Sequence, residues 1–296
     1  MVRASAVPLR PAVAAIACAS AVFASADPGR AQEPRLFYEQ DGAGSPVVLV
    51  PDWAHDTTVW FRVLPRLREG RRLVRYDLRG QGRSEAPEDG DYSLAAHRRD
   101  LWRLLDGLDL GRVHLIGAGV GGTVALAFAA ESPGRVRSVV AIDPPLRPAE
   151  EDLRWWNRFL AAYDRVGRPS LGNYTSVLVE RWFGTEFASR HPWVVSFFDL
   201  VLRRQRAIPL VSSLGAWLEA DPVVVPEVAT PVPVLVVRVG RDPGRAALDP
   251  DLRAGFPRLR RTWIESGPVP QVEAPGELTR EIELFLKDVE ETEGPG

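Results

Sequence analysis

Between Val113 and Ser132 the chain runs from an apolar segment, Val113-His114-Leu115-Ile116, through four glycines in six residues, Gly117-Ala118-Gly119-Val120-Gly121-Gly122. It then enters a stretch that reads as a helix from Thr123 to Ser132. A buried strand that turns this sharply into a helix belongs to a layered α/β architecture, because only a parallel sheet needs such a crossover. Glycine suits the turn because it tolerates backbone conformations and close approaches that a Cβ forbids.

The rest of the chain repeats the alternation. Pro46 to Val50, Arg72 to Tyr76, Val136 to Ile142, Val232 to Val239 and a short run around Thr262 to Ile264 read as strands. Leu94 to Leu108 carries Leu101, Leu104, Leu105 and Leu108 on one helical face, and Glu277 to Val289 reads as a closing helix. Pro144-Pro145 interrupts the rhythm. From Leu146 to Thr230 the pattern is helical and rich in aromatics, among them Trp155, Trp156, Phe159, Trp182, Phe183, Phe198 and Trp217. This is expected to be a helical lid (146–230) inserted between two parts of a core (35–145 and 231–290). An acidic tail, 291–296, closes the chain.

With 296 residues and a formal net charge of −2, the chain is long enough for a large core and shows no basic block for nucleic acid. Its first 26 residues differ from the rest. Arg3 and Arg10 precede a small-residue apolar run, Ala12 to Phe23, and Ala24-Ser25-Ala26 fits a signal-peptidase site. A secretory signal peptide cleaved after Ala26 is expected, hence a secreted or periplasmic protein, followed by a linker over 27–34. Cys18, after Ala15-Ile16-Ala17, is a weaker lipoprotein-type alternative. Cleavage leaves 35 basic against 39 acidic residues, a net charge of −4, and no cysteine. No later run is long or apolar enough to span a membrane.

Three segments in order, Val47 to Asp56 (VVLVPDWAHD), Tyr76 to Ser84 (YDLRGQGRS) and the glycine turn, resemble the α/β-hydrolase superfamily. The resemblance covers roughly Arg35 to Val289. It implies a mostly parallel sheet flanked by helices, with an inserted lid and a nucleophile elbow, Gly-x-Ser-x-Gly, at the turn. In this chain the elbow reads Gly117-x-Gly119-x-Gly121, so Gly119 stands where the serine would be. No serine or cysteine lies between Ser93 and Ser132. The family's last loop usually begins Gly-His, and here it reads Gly267-Pro268, with no histidine after His191 to replace the base. Two carboxylates are candidates for a surviving acid: Asp242, one residue early in Gly240-Arg241-Asp242, and Asp143, at the end of the preceding strand.

The oxyanion hole is a backbone device, and by resemblance it would use the amides of Val120 and Trp53. The usual His-Gly before it is Pro51-Asp52, which sets a carboxylate close to where an oxyanion would form. His55 is expected on the loop that lines the pocket mouth. Trp53 to Asp56 is similar to the equivalent loop of cofactor-free dioxygenases in this superfamily, although those enzymes also need the missing base. Of the other histidines, His114 is expected to pack in a strand, His97 to be solvated on its helix and His191 to be structural within the lid.

Three functions follow. The first is a hydrolase-like protein that has lost acyl-transfer chemistry and binds a small apolar ligand or a protein partner, with no cofactor and no metal. The second is a hydrolase or lyase rebuilt on His55, Asp52 or Asp143, which requires those side chains to converge. The third is dinucleotide binding, since Gly117-x-Gly119-x-x-Gly122 also fits that fingerprint with Asp143 about twenty residues on. Two strands and the DLRGQGRS loop precede this match, whereas such a fingerprint usually follows a domain's first strand.

Overall fold

The apolar runs become the strands of one sheet: β1 (Tyr38–Gly42), β2 (Ser45–Val50), β3 (Arg71–Tyr76), β4 (Val113–Ala118), β5 (Val136–Ile142), β6 (Val234–Val239) and β7 (Leu259–Ile264). The computed structural model describes residues 33–146, 150–167, 171–219, 229–240 and 250–293. The expected signal segment with Cys18 and Ala26, and the candidate acid Asp242, lie outside the described residues.

The strand order is β1-β3-β2-β4-β5-β6-β7. β1 pairs antiparallel with β3, and every other neighbouring pair is parallel. β4 sits between β2 and β5, and all six of its residues are buried. That accounts for its mostly apolar sequence, interrupted by His114, since a strand covered on both faces has no solvent side to mark with polar residues. β1 has the opposite character. Its sequence, Tyr-Glu-Gln-Asp-Gly, gives no apolar signal; the ladder to β3 and the ion pairs of Arg75 with Glu39 and Asp41 hold it at the edge.

Two helices support the central strands. α1 (Leu94–Gly107) is capped by Ser93, whose hydroxyl accepts from the Ala96 amide. α2 (Val120–Glu131) starts three residues earlier than the sequence suggests, because the glycine turn itself supplies its first turn. Between β5 and β6 lie α3 (Glu150–Arg165), α4 (Thr175–Arg190, bent at Gly184), α5 (Pro192–Arg204) and α6 (Ala207–Glu219). The last helix, α7 (Pro275–Glu293), continues beyond the expected end at Val289. Glu290 is held there by Arg71 at 3.5 Å. No helix among the described residues is long and apolar enough to cross a membrane.

The lid aromatics pack mainly on one another and on the core. Trp155, Trp156, Phe159, Tyr163 and Tyr174 form a continuous chain of ring contacts, and Trp182, Phe183, Phe197 and Phe198 form a second one. His97 corrects an expectation. It is fully buried, not solvated, with its ring 5.5 Å from that of Trp217. Trp217 of α6 reaches over the side of α1 that carries His97, a contact that periodicity alone does not show. His114 lies inside β4, where its Nδ1 meets the Ser138 hydroxyl at 2.8 Å.

Candidate functional site

The glycine turn is built by close backbone approach. A Cβ on Gly117 would collide with the Gly121 carbonyl, and one on Gly121 with the Val50 carbonyl, so neither position tolerates a side chain. Gly119 sits between β4 and α2 at φ 49° and ψ −121°. Its amide donates to the Ile142 carbonyl at 2.8 Å, which ties the turn to β5. This is the sharp strand-to-helix turn that in a serine hydrolase presents the nucleophile.

Asp52 fills what Gly119 leaves open. A single oxygen, Oδ1, accepts from both the Trp53 amide and the Val120 amide, each at 2.7 Å. These are the two backbone donors that the sequence assigns to an oxyanion hole. A Cβ built on Gly119 would come within 3.0 Å of Cγ, Oδ1 and Oδ2 of Asp52, nearer than real Cβ atoms approach anything. The carboxylate therefore occupies the space that a side chain at position 119 would need and engages both of these amides. Burial pushes the Asp52 carboxyl up to about 6; the two amide bonds pull against that shift, and Asp143 nearby adds to it.

Asp143 follows β5 in a left-handed conformation, φ 42°. Its amide donates to the Val237 carbonyl at 2.8 Å, and its Oδ1 lies 3.2 Å from Nη1 of Arg238. Burial raises its pKa, with the Arg238 guanidinium opposing. Asp52, Gly119 and Asp143 all keep partial exposure.

The loop after β2 is braced from two sides. Ala54, held at φ 63°, donates its amide to Oε1 of Gln81 at 2.8 Å, and Thr57 donates to Oδ1 of Asp77 at 2.7 Å. Ser84 donates its hydroxyl to the Asp77 carbonyl at 2.6 Å. The DLRGQGRS segment is thus the prop for the loop that carries Asp52 and Trp53. Deeper in it, Arg79 makes a bidentate pair with Asp100 at 2.7 and 2.8 Å, both side chains being 1% exposed.

From above, the lid closes on the same loop. Trp53 donates its indole N–H to the Leu210 carbonyl at 2.9 Å, and its ring meets Trp156 edge-on at 5.2 Å. His55 does not reach the pocket mouth. It is 1% exposed, wedged between Trp182 (4.9 Å) and Phe198 (5.2 Å), and neither ring nitrogen has a hydrogen-bond partner. The local sequence gives no signal for this, because both rings come from more than a hundred residues downstream. Pro268 is exposed after β7, and the adjoining Gly267 packs against the Trp182 carbonyl. The structure therefore brings Asp52, Gly119, Val120 and Trp53 together with Asp143 close by, and leaves His55 in the lid interface. A separate cleft, lined by Pro233, Arg258, Arg260, Phe285 and Asp288, opens beside the starts of β6 and β7, at the opposite end of the sheet.

Burial lowers the His55 pKa to about 3. As pH falls below the ordinary histidine value of about 6.5, the unfolded chain takes up a proton that folded His55 refuses, so stability drops. His55→Phe keeps an aromatic ring and removes the titration. Its stability advantage over the parent is expected to widen by about 1.4 kcal/mol per pH unit between pH 6 and 4, measured by urea unfolding. A constant difference across that range contradicts this account.

A family model described as alpha/beta hydrolase fold matches residues 45–192, half of the chain. Among curated proteins, carbamate hydrolase RutD of Variovorax paradoxus strain S110 is 36% identical over 135 residues, 45% of this chain and 51% of that protein. The 2-hydroxy-6-oxo-2,4-heptadienoate hydrolase of Pseudomonas putida is 39% identical over 102 residues, 33% of this chain and 37% of its own length. The alignments thus span about half or less of these relatives. Among solved structures, a thermophilic esterase from Thermogutta terrifontis superposes with a TM-score of 0.72 at 27% identity, covering 90% of this chain and 96% of the esterase. The enol-lactonase from Burkholderia xenovorans LB400 gives a TM-score of 0.73 at 22% identity, over 87% and 98%, a likeness of fold alone.

Proposed function

We propose, for a chain that belongs to the α/β-hydrolase family, that this protein is a non-hydrolytic member binding a small, largely apolar ligand where its relatives hold their reacting substrate. One observation carries the reading: the Asp52 carboxylate takes both oxyanion-hole amides and the volume of a nucleophile's side chain. Loss of a whole triad typically lowers turnover about a million-fold, and the roughly 10³ to 10⁴ that remains over water comes from the oxyanion hole and binding. A hole already filled by an anion cannot supply that remainder, because a developing oxyanion would meet a carboxylate in place of two free donors.

A rebuilt enzyme centred on His55, Asp52 and Asp143 has weaker support. Asp52 and Asp143 interact electrostatically, but the His55 ring nitrogens bond to neither and face aromatic rings. The dinucleotide reading loses ground as well. The glycine turn follows the third parallel strand in chain order, and Asp52 occupies the place where a pyrophosphate would approach the helix N-terminus.

The test is direct. Purified protein without residues 1–26, given short-chain aryl esters, is expected to show no saturable turnover above the background of unrelated protein at equal mass. Saturable turnover that His55→Ala abolishes would sink the proposal. A secreted or periplasmic location is part of the same reading, motivated by Arg3, Arg10, the apolar run to Phe23 and Ala24-Ser25-Ala26. Fractionation with N-terminal sequencing is expected to recover a chain beginning at Asp27 outside the cytoplasm; an intact Met1 in the cytoplasm contradicts it.

A further inference from the structure

At the end of the sheet away from the elbow, a cleft of about 250 Å³ opens between the start of β7 and the last turns of α7. Leu259, Phe285 and Val289 supply its apolar lining, and each is between 1% and 6% exposed. Pro233 and Pro257 flank it with backbone angles fixed by their rings. The Pro233 carbonyl accepts from the Val139 amide at 2.9 Å, and the Leu259 amide donates to the Phe256 carbonyl at 3.0 Å, so the walls are tied to the sheet and the cleft is preformed.

Its charged residues form a row along the seam between β7 and α7. Thr262 donates its hydroxyl to Oε2 of Glu281 at 3.0 Å, and Arg260 pairs with Asp288 at 2.7 Å. Arg258, two residues before Arg260 and lining the same cleft, continues the row. On that face of α7 the residues one turn past Asp288 are Glu291 and Thr292. Glu291 pairs with Lys287 at 3.7 Å, and Thr292 donates to the Asp288 carbonyl at 2.7 Å. Among the described residues lining the cleft, two guanidinia, Arg258 and Arg260, therefore share one carboxylate, Asp288.

A cationic ligand meets this excess of positive charge with like charge, and a neutral apolar one covers the apolar lining but gives Arg258 no anion. An organic carboxylate does both: its two oxygens match the guanidinium fork, and its body removes apolar surface from water. Pockets for drug-sized ligands begin at about 300 Å³, so this cleft suits a single ring or a short chain. One surplus guanidinium matches a single negative charge. We propose that the cleft binds a small monocarboxylate on an apolar body, the carboxylate on Arg258 and the body against Phe285 and Val289. The site lies at the other end of the sheet from the elbow, so its ligand class does not depend on whether the protein hydrolyses esters.

The experiment is titration of the protein with benzoate, benzyl alcohol and benzylammonium at pH 7.5, followed through the ligand resonances by nuclear magnetic resonance. Benzoate is expected to bind saturably, with a dissociation constant of about 1 mM or tighter. The alcohol should bind at least about fivefold more weakly, and benzylammonium should show no saturation. Arg258 is exposed, and Arg258→Gln, checked for an unchanged circular-dichroism spectrum, should weaken benzoate at least about fivefold. Asp288→Asn frees the Arg260 guanidinium from its carboxylate and should tighten benzoate at least about twofold. This second variant shifts affinity in the opposite direction and decides the matter if the first fails to fold. Absent saturation by benzoate, equal affinity for the alcohol, saturation by benzylammonium, unchanged affinity in a folded Arg258→Gln, or affinity that does not rise in Asp288→Asn would each overturn the inference.

Discussion

Gly119→Ser, the change that would restore a nucleophile to the elbow, is expected to destabilise the protein by about 3–5 kcal/mol and to yield no esterase activity. Two costs combine. A side chain at φ 49° carries backbone strain of about 1–3 kcal/mol, and overpacking against a rigid neighbour costs about as much again. The neighbour is the Asp52 carboxylate, which the new Cβ would overlap. Asp52 cannot simply swing aside, because Oδ1 is fixed by two amides and its departure would leave both without an acceptor. In an Asp52→Gly background the steric part disappears, so the same Gly119→Ser change should cost at least about 2 kcal/mol less. Urea unfolding of the two single variants and the double variant measures this coupling, and additive effects would refute it. Only with Pro268→His added does the elbow regain a serine, a base loop and free donors. That triple variant is the one expected to gain turnover on aryl esters, while Gly119→Ser/Pro268→His stays inert.

Arg79→Met is expected to cost about 3–5 kcal/mol, although the residue lies away from the elbow. Arg79 and Asp100 are each 1% exposed and meet through two hydrogen bonds. Methionine replaces the apolar length of the arginine but leaves Asp100 a buried carboxylate with no closer cation than the half-exposed Arg103 at 3.7 Å. The Arg79 guanidinium also donates to the Asp91 carbonyl at 2.7 Å and the Ala96 carbonyl at 3.1 Å, so the start of α1 loses anchors as well. Arg79→Met/Asp100→Leu removes the orphan charge and should recover more than half of the loss. A single variant within about 1 kcal/mol of the parent in urea unfolding would show that the pair contributes little.

These two sites differ in how far the sequence discloses them. The elbow is legible because its constraint is local: a strand, a turn and a helix within twenty residues, with glycines where backbones touch. The position of Asp52 in the oxyanion loop is legible in outline too. What the sequence does not disclose is that its carboxylate lands on the missing side chain of a residue 67 positions later, because that is a contact between two loops brought together by the pairing of β2 with β4. His55 and His97 escape for the same reason, since the rings that bury them belong to the lid, and local periodicity does not show where a lid docks. The edge strand β1 escapes for a different one: a half-exposed polar strand leaves no alternation to read. Arg79 is visible as a motif residue, but its partner is not, since Asp100 looks like any other helical acid until the DLRGQGRS loop brings Arg79 against it.

The double hydrogen bond to Oδ1 of Asp52 also sets an order on substitution. A side chain at 119 and this carboxylate at 52 claim the same space, so the two positions are not free to vary independently. The order is directional: position 52 must empty before position 119 can be filled, and the intermediate with neither side chain leaves the Trp53 and Val120 amides without that acceptor. No single substitution therefore places a serine at 119 without a clash.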